Sequence, residues 1–359
     1  MEKISGLITP VIVYLFIFLL NLILPGRWVK GYITRKDSGE KMNYHLNGLQ
    51  VFFIVVATFL VLSYFKLITV DWFYRYRWYS AAGAFAIGLV FSAAFIIPYQ
   101  PVKKSVLADF YLGRVENLQL SGGRVDVKMW LYLAGATMLG LNIISFTAYH
   151  IQVFGSGYSP GIMLSALLMI FFLVDYLTFE EVHLYTYDLF AERIGFKLGW
   201  GCLVFYAYFY SIFLWSTVDK PDAATSPLLL AIYILVFLSG WVLSRGANLQ
   251  KYFFKKNPSK PFLGISPRAI TDGNKALLVN GFWGVSRHIN YLGEILMATG
   301  MILCTGHPGM IWPWLYPLYY VGLLFTRQAD DDRRCRAKYG DLWDEYRKQV
   351  PYKIIPFIY

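Results

Sequence analysis

The residues best suited to chemistry lie in one stretch of the chain, from Leu277 to Glu294. On a helix that begins near Trp283, the positions i, i+4, i+7, i+8 and i+11 form one stripe, and they hold Trp283, Arg287, Asn290, Tyr291 and Glu294. An anchor in the headgroup region would explain Trp283 and Arg287. It would not explain Asn290 and Glu294, because they continue the stripe into an apolar segment, where polar groups are costly unless they pair or line a cavity. The stripe therefore favours ligand binding over anchoring.

A second candidate is the basic run from Arg245 to Lys256, at the end of an apolar segment. Basic residues at such a position usually contact solvent or lipid phosphates. Further cations follow in the tail, and the two groups together can surround a phosphorylated ligand such as a dinucleotide. The cations concerned are Lys251, Lys255, Arg327, Arg336 and Lys338. Because no Gly-x-Gly-x-x-Gly turn follows a strand, helices must build any such nucleotide pocket.

An acidic segment, from Phe179 to Asp188, offers carboxylates and His183. It has no His-Glu-x-x-His spacing, and the three cysteines of the chain have no paired spacing, so the sequence predicts neither a metal site nor a disulfide framework. An ordinary polar loop and a role beside a substrate remain equally open for this segment.

Long apolar segments must position these residues. Apolar residues make up 57% of the 359 and charged residues only 15%, whereas soluble domains are about one quarter charged. The apolar residues cluster in runs long enough to cross a bilayer. We expect an all-α, polytopic bundle of about nine membrane helices, near residues 7–24, 46–65, 79–97, 129–149, 160–177, 198–218, 227–244, 289–305 and 309–325.

The basic residues predict the orientation of these helices. All but five of the 33 Lys and Arg fall on one side if residues 25–45 face the cytoplasm. This predicts an outside or lumenal N-terminus and a cytoplasmic C-terminus, in a bacterial inner membrane or the endoplasmic reticulum. The net charge of +11 is spread over membrane loops rather than one soluble face, which argues against nucleic-acid binding.

The last third of the chain alternates polar and apolar stretches, and we expect function there. Asp272-Gly273-Asn274 is typical of a turn. The tail reads as a helix with Asp330/Arg334 and Asp332/Arg336 pairs, broken at Gly340, after which Asp341 can cap a second helix over 342–348. We treat residues 1–359 as one membrane domain, with N-terminal spans over 1–244 and a ligand-binding part over 245–359.

Motifs along nearly the whole chain resemble the sterol reductase family, which reduces C14, C7 or C24 double bonds of sterols and includes the lamin B receptor. The matching segments are Leu24–Arg27, Tyr44–Gly48, Asp109–Arg114, Glu180-Glu181, Thr186 with Asp188, Arg245–Lys251, Gly281–Tyr291 and Cys335–Gly340. Arg287-His288-x-Asn290-Tyr291 alone would also fit membrane methyltransferases and steroid 5α-reductase-like proteins. The middle and N-terminal motifs favour sterol reductase.

The resemblance implies an NADPH site in the C-terminal half, which faces the cytoplasm, beside a lipid-accessible cavity for a sterol taken from the bilayer. It assigns to the cofactor site Lys251, Lys255, Leu278, Trp283, Asn290, Tyr291, Arg327, Asp331, Cys335, Arg336, Ala337, Lys338, Tyr339 and Tyr346. It implies no metal and no obligate protein partner. Two departures stand out: Asp330 replaces a cation of the family pattern, and Phe172 stands where several relatives place a Tyr.

The implied reaction is reduction of a sterol C14 or C24(24-1) double bond, with C7 as a further possibility. An isolated alkene is not electrophilic, so a proton should add first and hydride should then quench the carbocation. A carboxylic acid or phenol in a low-dielectric pocket keeps its proton, which suits Asp331, Glu181 or Tyr210. We expect the relay to begin at Asp331 or Glu181.

Two alternatives differ in class. An S-adenosylmethionine-dependent methyltransferase of isoprenylcysteine or lipid would share the Arg-His-x-x-Tyr region and Glu294. A non-catalytic sterol-binding scaffold would share the membrane helices. Protection of the purified protein from heat by NADPH, and not by S-adenosylmethionine, would discriminate the reductase from the methyltransferase.

Overall fold

The computed structural model describes residues 2–35, 38–103 and 105–359. The chain is mostly helical and separates into two compact units, Met1–Asp222 and Ala223–Tyr359. Within the described ranges, the strands form two-stranded antiparallel hairpins and no larger sheet. The expected all-α class is therefore correct in outline.

The first unit is a helical bundle with two hairpins. Its elements are α1 (Glu2–Ile23), β1 (Arg27–Thr34), β2 (Lys41–Leu46), α2 (Gly48–Tyr64), α3 (Trp72–Arg75), α4 (Arg77–Ala94), α5 (Val106–Leu112), β3 (Gln119–Leu120), β4 (Val125–Asp126), α6 (Val127–Phe154), α7 (Pro160–Thr178), α8 (Glu180–His183), α9 (Tyr187–Phe190), α10 (Phe196–Trp200), a π-helix (Gly201–Tyr206) and α11 (Ile212–Trp215). Helix α6 packs against α1, α2, α3 and α7 and is buried on most of its surface, so it forms the centre of this unit.

The second unit is built around two long helices, Pro227–Lys256 and Ile311–Tyr339, and the helix Ile289–Cys304, which packs against both. Its elements are α12 (Pro227–Lys256), β5 (Ala269–Thr271), β6 (Ala276–Leu278), α13 (Phe282–Val285), α14 (Ile289–Cys304), α15 (Ile311–Tyr339) and α16 (Asp341–Gln349). Helix α12 starts where the sequence dictates, because Ser226 accepts a hydrogen bond from the Leu229 N–H and Pro227 occupies the first turn.

Five described helices are long and apolar enough to cross a membrane: Glu2–Ile23, Val127–Gly157, Pro160–Thr178, Phe196–Trp215 and Pro227–Lys256. Gly48–Tyr64 and Ile289–Cys304 are shorter apolar helices. The two remaining expected spans, 79–97 and 309–325, overlap α4 and α15. The protein is an integral membrane protein, and the count of nine crossings stays a prediction.

Helices α12 and α14 approach each other closely at glycines. A Cβ atom on Gly240 would lie 2.5 Å from the Gly293 carbonyl oxygen, and one on Gly293 would lie 2.5 Å from the Gly240 carbonyl oxygen. Real Cβ atoms do not tolerate such contacts, so both positions require glycine. This contact lets polar side chains further along the two helices reach each other.

The structure corrects three details of the sequence prediction: the stripe from Trp283, the Asp332/Arg336 pair and the helix cap at Asp341. The stripe expected on one helix from Trp283 is wrong, because α13 ends at Val285 and Ser286 is extended. There the main-chain N–H groups of Arg287 and His288 donate to carbonyl groups of the C-terminal segment instead of continuing a helix. The Asp332/Arg336 pair is replaced by contacts with other partners.

Asp341 does not cap α16. The N-cap residue is Gly340, whose φ of +56° ends α15 as expected, and Asp341 is already the first helical residue. Its carboxylate still lies in the first turn, where negative charge favours the helix. The Asp330/Arg334 pair forms with a 2.6 Å contact, and Asp272 accepts hydrogen bonds from Asn274 and Lys275 in the expected turn.

Candidate active site

Helices α12 and α14 share a ladder of polar side chains above their glycine contact. The Ser244 hydroxyl donates to Glu294 Oε1 at 2.5 Å, and the Asn290 amide donates to Asn248 Oδ1 at 3.3 Å. Buried polar groups need such partners. The ladder explains how Asn290 and Glu294 are tolerated in an apolar helix, although they do not share a continuous helical stripe with Trp283.

Gln250 fixes the loop that carries Trp283. Its Oε1 accepts from the Phe282 N–H at 3.0 Å, and its Nε2 donates to the Asn280 carbonyl at 3.3 Å. The chain turns at Gly281 with φ of +64°, where a Cβ atom would lie 2.1 Å from Gln250 Nε2. The Trp283 indole N–H then donates to the Ala247 carbonyl at 2.8 Å. The indole plane is thereby held against α12.

A group of charges surrounds this indole. The Lys251 ammonium lies 5.3 Å from the centre of the Trp283 ring, within range of a cation–π interaction. Burial raises the pKa of the Asp331 carboxyl, while Lys251, Arg334 and Arg327 oppose the shift. Four of the predicted cofactor residues therefore share one electrostatic environment: Lys251, Trp283, Arg327 and Asp331.

The end of α15 and α16 form a small core beside this group. Trp343, Tyr346 and Val350 are buried there, with β5, β6, Cys335 and Tyr339 packed against them. The Tyr346 hydroxyl donates to the Trp283 carbonyl at 3.1 Å, which connects the core to the indole. Burial raises the pKa of the Cys335 thiol to about 12, so this thiol stays protonated.

Other predicted cofactor residues are placed differently. Leu278 is buried in β6, and Tyr291 is buried in α14. Lys255 lies 6.0 Å from the Phe254 ring. Arg336 pairs with Asp344 at 3.4 Å and leaves 66% of its side chain exposed, and Ala337 and Lys338 are exposed on the same helix. Arg336, Ala337 and Lys338 therefore form an exposed face of α15 next to the partly buried Cys335 and Tyr339 side chains.

The first unit holds the other two proposed acids. Glu181 Oε2 lies 3.4 Å from Arg27 Nη1, so these two side chains form an ion pair. Tyr210 packs edge-on against Tyr206, with 4.8 Å between ring centres, next to the π-helix. Such π-helices are frequent at functional sites.

Sequence reasoning missed Glu180, the neighbour of Glu181. Glu180 is buried, and its Oε2 accepts from the Gly48 N–H at 3.0 Å. Burial raises the pKa of this carboxyl to about 7, against the opposing effects of that hydrogen bond and of Arg27. The acidic pair is visible in the sequence, but which member faces inward depends on the short α8 helix.

His288, Asp332 and Gln250 were also missed as contributors to the second unit's site. These residues lie within or beside the motifs identified in the sequence. Their contacts join residues far apart in the chain, so the sequence does not reveal them. Among the described residues, no group of three or more His, Cys, Asp or Glu side chains could hold a metal ion.

The apolar helices and the polar ladder between two of them define a multi-pass membrane protein whose polar site is built by helices. The model of the ergosterol biosynthesis ERG4/ERG24 family matches residues 7–359. The chain is 31% identical to the Delta(14)-sterol reductase of Arabidopsis thaliana over 365 residues, covering 97% of this chain and 95% of the relative. The protein belongs to the ERG4/ERG24 family, which confirms the resemblance.

Two further relatives show the breadth of the similarity. The Delta(14)-sterol reductase erg24 of Schizosaccharomyces pombe is 31% identical over 345 residues, covering 93% of this chain and 80% of the relative. The probable 7-dehydrocholesterol reductase of Acanthamoeba polyphaga mimivirus is 27% identical over 339 residues, covering 92% of this chain and 75% of the relative.

Proposed function

We propose that this protein reduces a carbon–carbon double bond of a sterol with NADPH as the hydride source. The observation that carries the proposal is the environment of Asp331, a largely buried carboxyl beside Lys251 in a family whose named relatives are sterol reductases. The C14 double bond is the first candidate because of those names. The C24(24-1) and C7 bonds remain alternatives, and one relative is named for C7 chemistry.

The residues of the second unit fit a nicotinamide dinucleotide. Lys251 and Arg327 supply charge for phosphates, and Trp283 supplies a flat ring whose indole N–H donates to the Ala247 carbonyl. The main-chain carbonyl of Trp283 accepts a second hydrogen bond, from the Tyr346 hydroxyl. In the described part of the chain, the Asn290 Oδ1 atom is buried and has no hydrogen-bond partner. A buried acceptor of this kind is costly, and an amide or hydroxyl of a ligand would satisfy it.

We assign the proton-donating step to Asp331. Its O–H bond breaks as a C–H bond forms at one alkene carbon, and the pair of electrons stays on the carboxylate. Lys251, Arg327 and Trp283 would hold NADPH, which would supply the hydride needed to quench the resulting tertiary carbocation. Because burial raises the pKa of Asp331, the carboxyl holds a proton closer to neutral pH than an exposed aspartate does. Glu181, paired with Arg27, fits this role less well, and Tyr210 is a further candidate for the relay.

The remaining expectations belong to the same proposal. The chain functions as one membrane domain with nine crossings, its C-terminus in the cytoplasm, where NADPH is reached, and its sterol in the bilayer. The charge distribution over alternate loops supports this topology. No protein partner is required.

The direct test uses the full chain in lipid nanodiscs with NADPH and sterols that carry a C14, a C7 or a C24(24-1) double bond. We expect loss of the ultraviolet absorbance of a conjugated C8,C14 diene, with mass spectrometry assigning the reduced bond. We also expect NADPH to raise the thermal unfolding temperature. Heat protection by S-adenosylmethionine instead, with no reduction of any sterol, would overturn the proposal and favour a methyltransferase.

A further inference from the structure

Two consecutive residues before α14 face two consecutive residues of α15. His288 Nε2 lies 4.0 Å from Asp331 Oδ2, and Arg287 Nε lies 3.8 Å from Asp332 Oδ1. Both basic residues are buried. Neither distance is that of a hydrogen bond, which requires about 3.5 Å or less. In the described part of the chain, His288 Nε2 has no hydrogen-bond partner.

The C-terminal segment fixes the position of the imidazole. The main-chain N–H groups of Arg287 and His288 donate to the Tyr352 and Lys353 carbonyls at 2.9 and 2.8 Å. The Arg287 guanidinium also donates to the Val350 carbonyl at 3.1 Å. Two main-chain hydrogen bonds therefore anchor the backbone at His288, and the side chain of its neighbour Arg287 adds a third bond to the same segment.

The ring plane of His288 is fixed as well. The imidazole stacks on the Tyr291 ring, with 4.8 Å between centres and 16° between planes. Because the backbone is hydrogen-bonded and the ring is stacked, we expect the gap to Asp331 to close by movement of the Asp331 side chain. That side chain is 21% exposed and so is less confined than the imidazole, whose side chain is 5% exposed.

Burial, with help from the surrounding charges, keeps the imidazole neutral. Burial lowers the pKa of His288 to about 3, and Arg287 and Lys251 add to the effect. The groups that face His288 are thus Arg287 on its own segment, Lys251 on α12, Tyr291 on α14 and Asp331 on α15. A neutral imidazole can donate one N–H without adding a positive charge. An N–H at Nε2 would point to Asp331 Oδ2.

We propose that His288 is a positioning residue for the Asp331 carboxyl, to which its Nε2–H donates a hydrogen bond when the Asp331 side chain closes the remaining gap. This rests on the proposed function, in which Asp331 gives the proton. Engagement of Oδ2 leaves Oδ1 to carry the proton toward the substrate. The hydrogen bond then strengthens as negative charge develops on the carboxylate, which is the condition for accelerating proton transfer. Arg287 and Asp332 keep the two segments in register.

The test compares the full chain in nanodiscs with two variants. His288→Phe keeps a flat ring against Tyr291 and removes the donor, and His288→Gln keeps a neutral N–H donor. Infrared difference spectroscopy follows the carboxyl band of Asp331 through a pH titration, with the band identified by its loss in Asp331→Asn. Lys251, Arg327, Asp330 and Arg334 also face this carboxyl and are unchanged in both variants.

We expect the Asp331 titration midpoint to rise by about one pH unit in His288→Phe, because the carboxylate loses a donor. We expect kcat to fall about tenfold with NADPH affinity preserved. His288→Gln should recover most of both effects. An unchanged or lowered midpoint in His288→Phe, or equal impairment of both variants with loss of NADPH affinity, overturns the proposal. A shifted midpoint in a protein that reduces no sterol would leave the pair standing and overturn the proposed function instead.

Discussion

Burial raises the pKa of two carboxyl groups, Asp331 in the second unit and Glu180 in the first, but the charges around the two groups differ. Burial is the largest cause for both. Asp331 is opposed by the cations Lys251, Arg334 and Arg327. Glu180 is opposed by one main-chain N–H and by Arg27, and its pKa reaches about 7. Burial therefore gives two different kinds of acid, depending on the charges around each carboxyl.

The charges around each carboxyl determine what can change its pKa. A carboxyl among cations changes its proton affinity when an anion neutralises those cations, so we expect phosphate groups near Lys251 and Arg327 to raise the pKa of Asp331 further. This would couple cofactor binding to retention of the catalytic proton. Glu180 has no such group of cations, and its protonation should follow the pH and the stability of its own unit.

The largest expected effect comes from removing the catalytic carboxyl. Asp331→Asn keeps the size and a polar contact but has no acidic proton, so we expect sterol reduction to fall roughly 10²- to 10⁴-fold. Steady-state turnover and NADPH binding by calorimetry check this. Asp330→Asn at the neighbouring, partly exposed position should retain turnover. Full turnover of Asp331→Asn with NADPH bound would remove Asp331 from the reaction.

The second prediction concerns stability rather than activity. The pKa of Glu180 in the folded protein, about 7, exceeds the ordinary glutamate value of 4.5, so the stability that this carboxyl contributes is fully present below pH 4.5 and is lost as the pH rises through 7. The loss amounts to about 3 kcal/mol at most. Thermal unfolding between pH 5 and 8 should show this decline in the parent and a flatter curve in Glu180→Gln.

Glu181→Gln is the matched control, because Glu181 is the adjacent carboxyl and pairs with Arg27 instead of the Gly48 N–H. This control should keep the pH dependence of the parent. If Glu181→Gln flattened the curve and Glu180→Gln did not, the assignment of the two carboxyls would be reversed and the comparison with Asp331 would fail.

The sequence predicts much of this fold and less of its geometry. Long apolar runs locate the helices, because a segment that crosses lipid must be apolar and must satisfy its backbone hydrogen bonds internally. Gly340 ends α15 because its φ is positive. The stripe from Trp283 fails because the chain is extended at Ser286, where the Arg287 and His288 N–H groups donate to the Tyr352 and Lys353 carbonyls instead of continuing a helix. Helical periodicity predicts which residues share a face of one helix, and it contains no information on hydrogen bonds to distant segments. The inward face of Glu180 and the approach of His288 to Asp331 depend on residues more than 40 positions away.

A smaller effect is expected at the cation nearest the indole. Lys251→Gln removes one positive charge and the contact with the Trp283 ring, so we expect NADPH affinity to fall about tenfold or somewhat more. Lys256→Gln, five residues along the same helix and against the Tyr252 ring at 4.7 Å, should change affinity little. Calorimetry with NADPH distinguishes them. Equal losses in both variants would indicate a general effect of charge instead of a site.

The smallest expected effect separates the electrostatics of Asp331 from its packing. Arg334 pairs with Asp330 at 2.6 Å and is half exposed, and such surface pairs contribute about 0.5 kcal/mol or less to stability. Arg334 also lowers the pKa of Asp331, so Arg334→Gln should raise the midpoint of the Asp331 infrared titration slightly while the unfolding temperature stays nearly constant. Lys348→Gln, a cation in the last turn of α16, is the control. A midpoint that moved downward would contradict the conclusion that neighbouring cations lower the pKa of Asp331, and the contrast with Glu180 would fail.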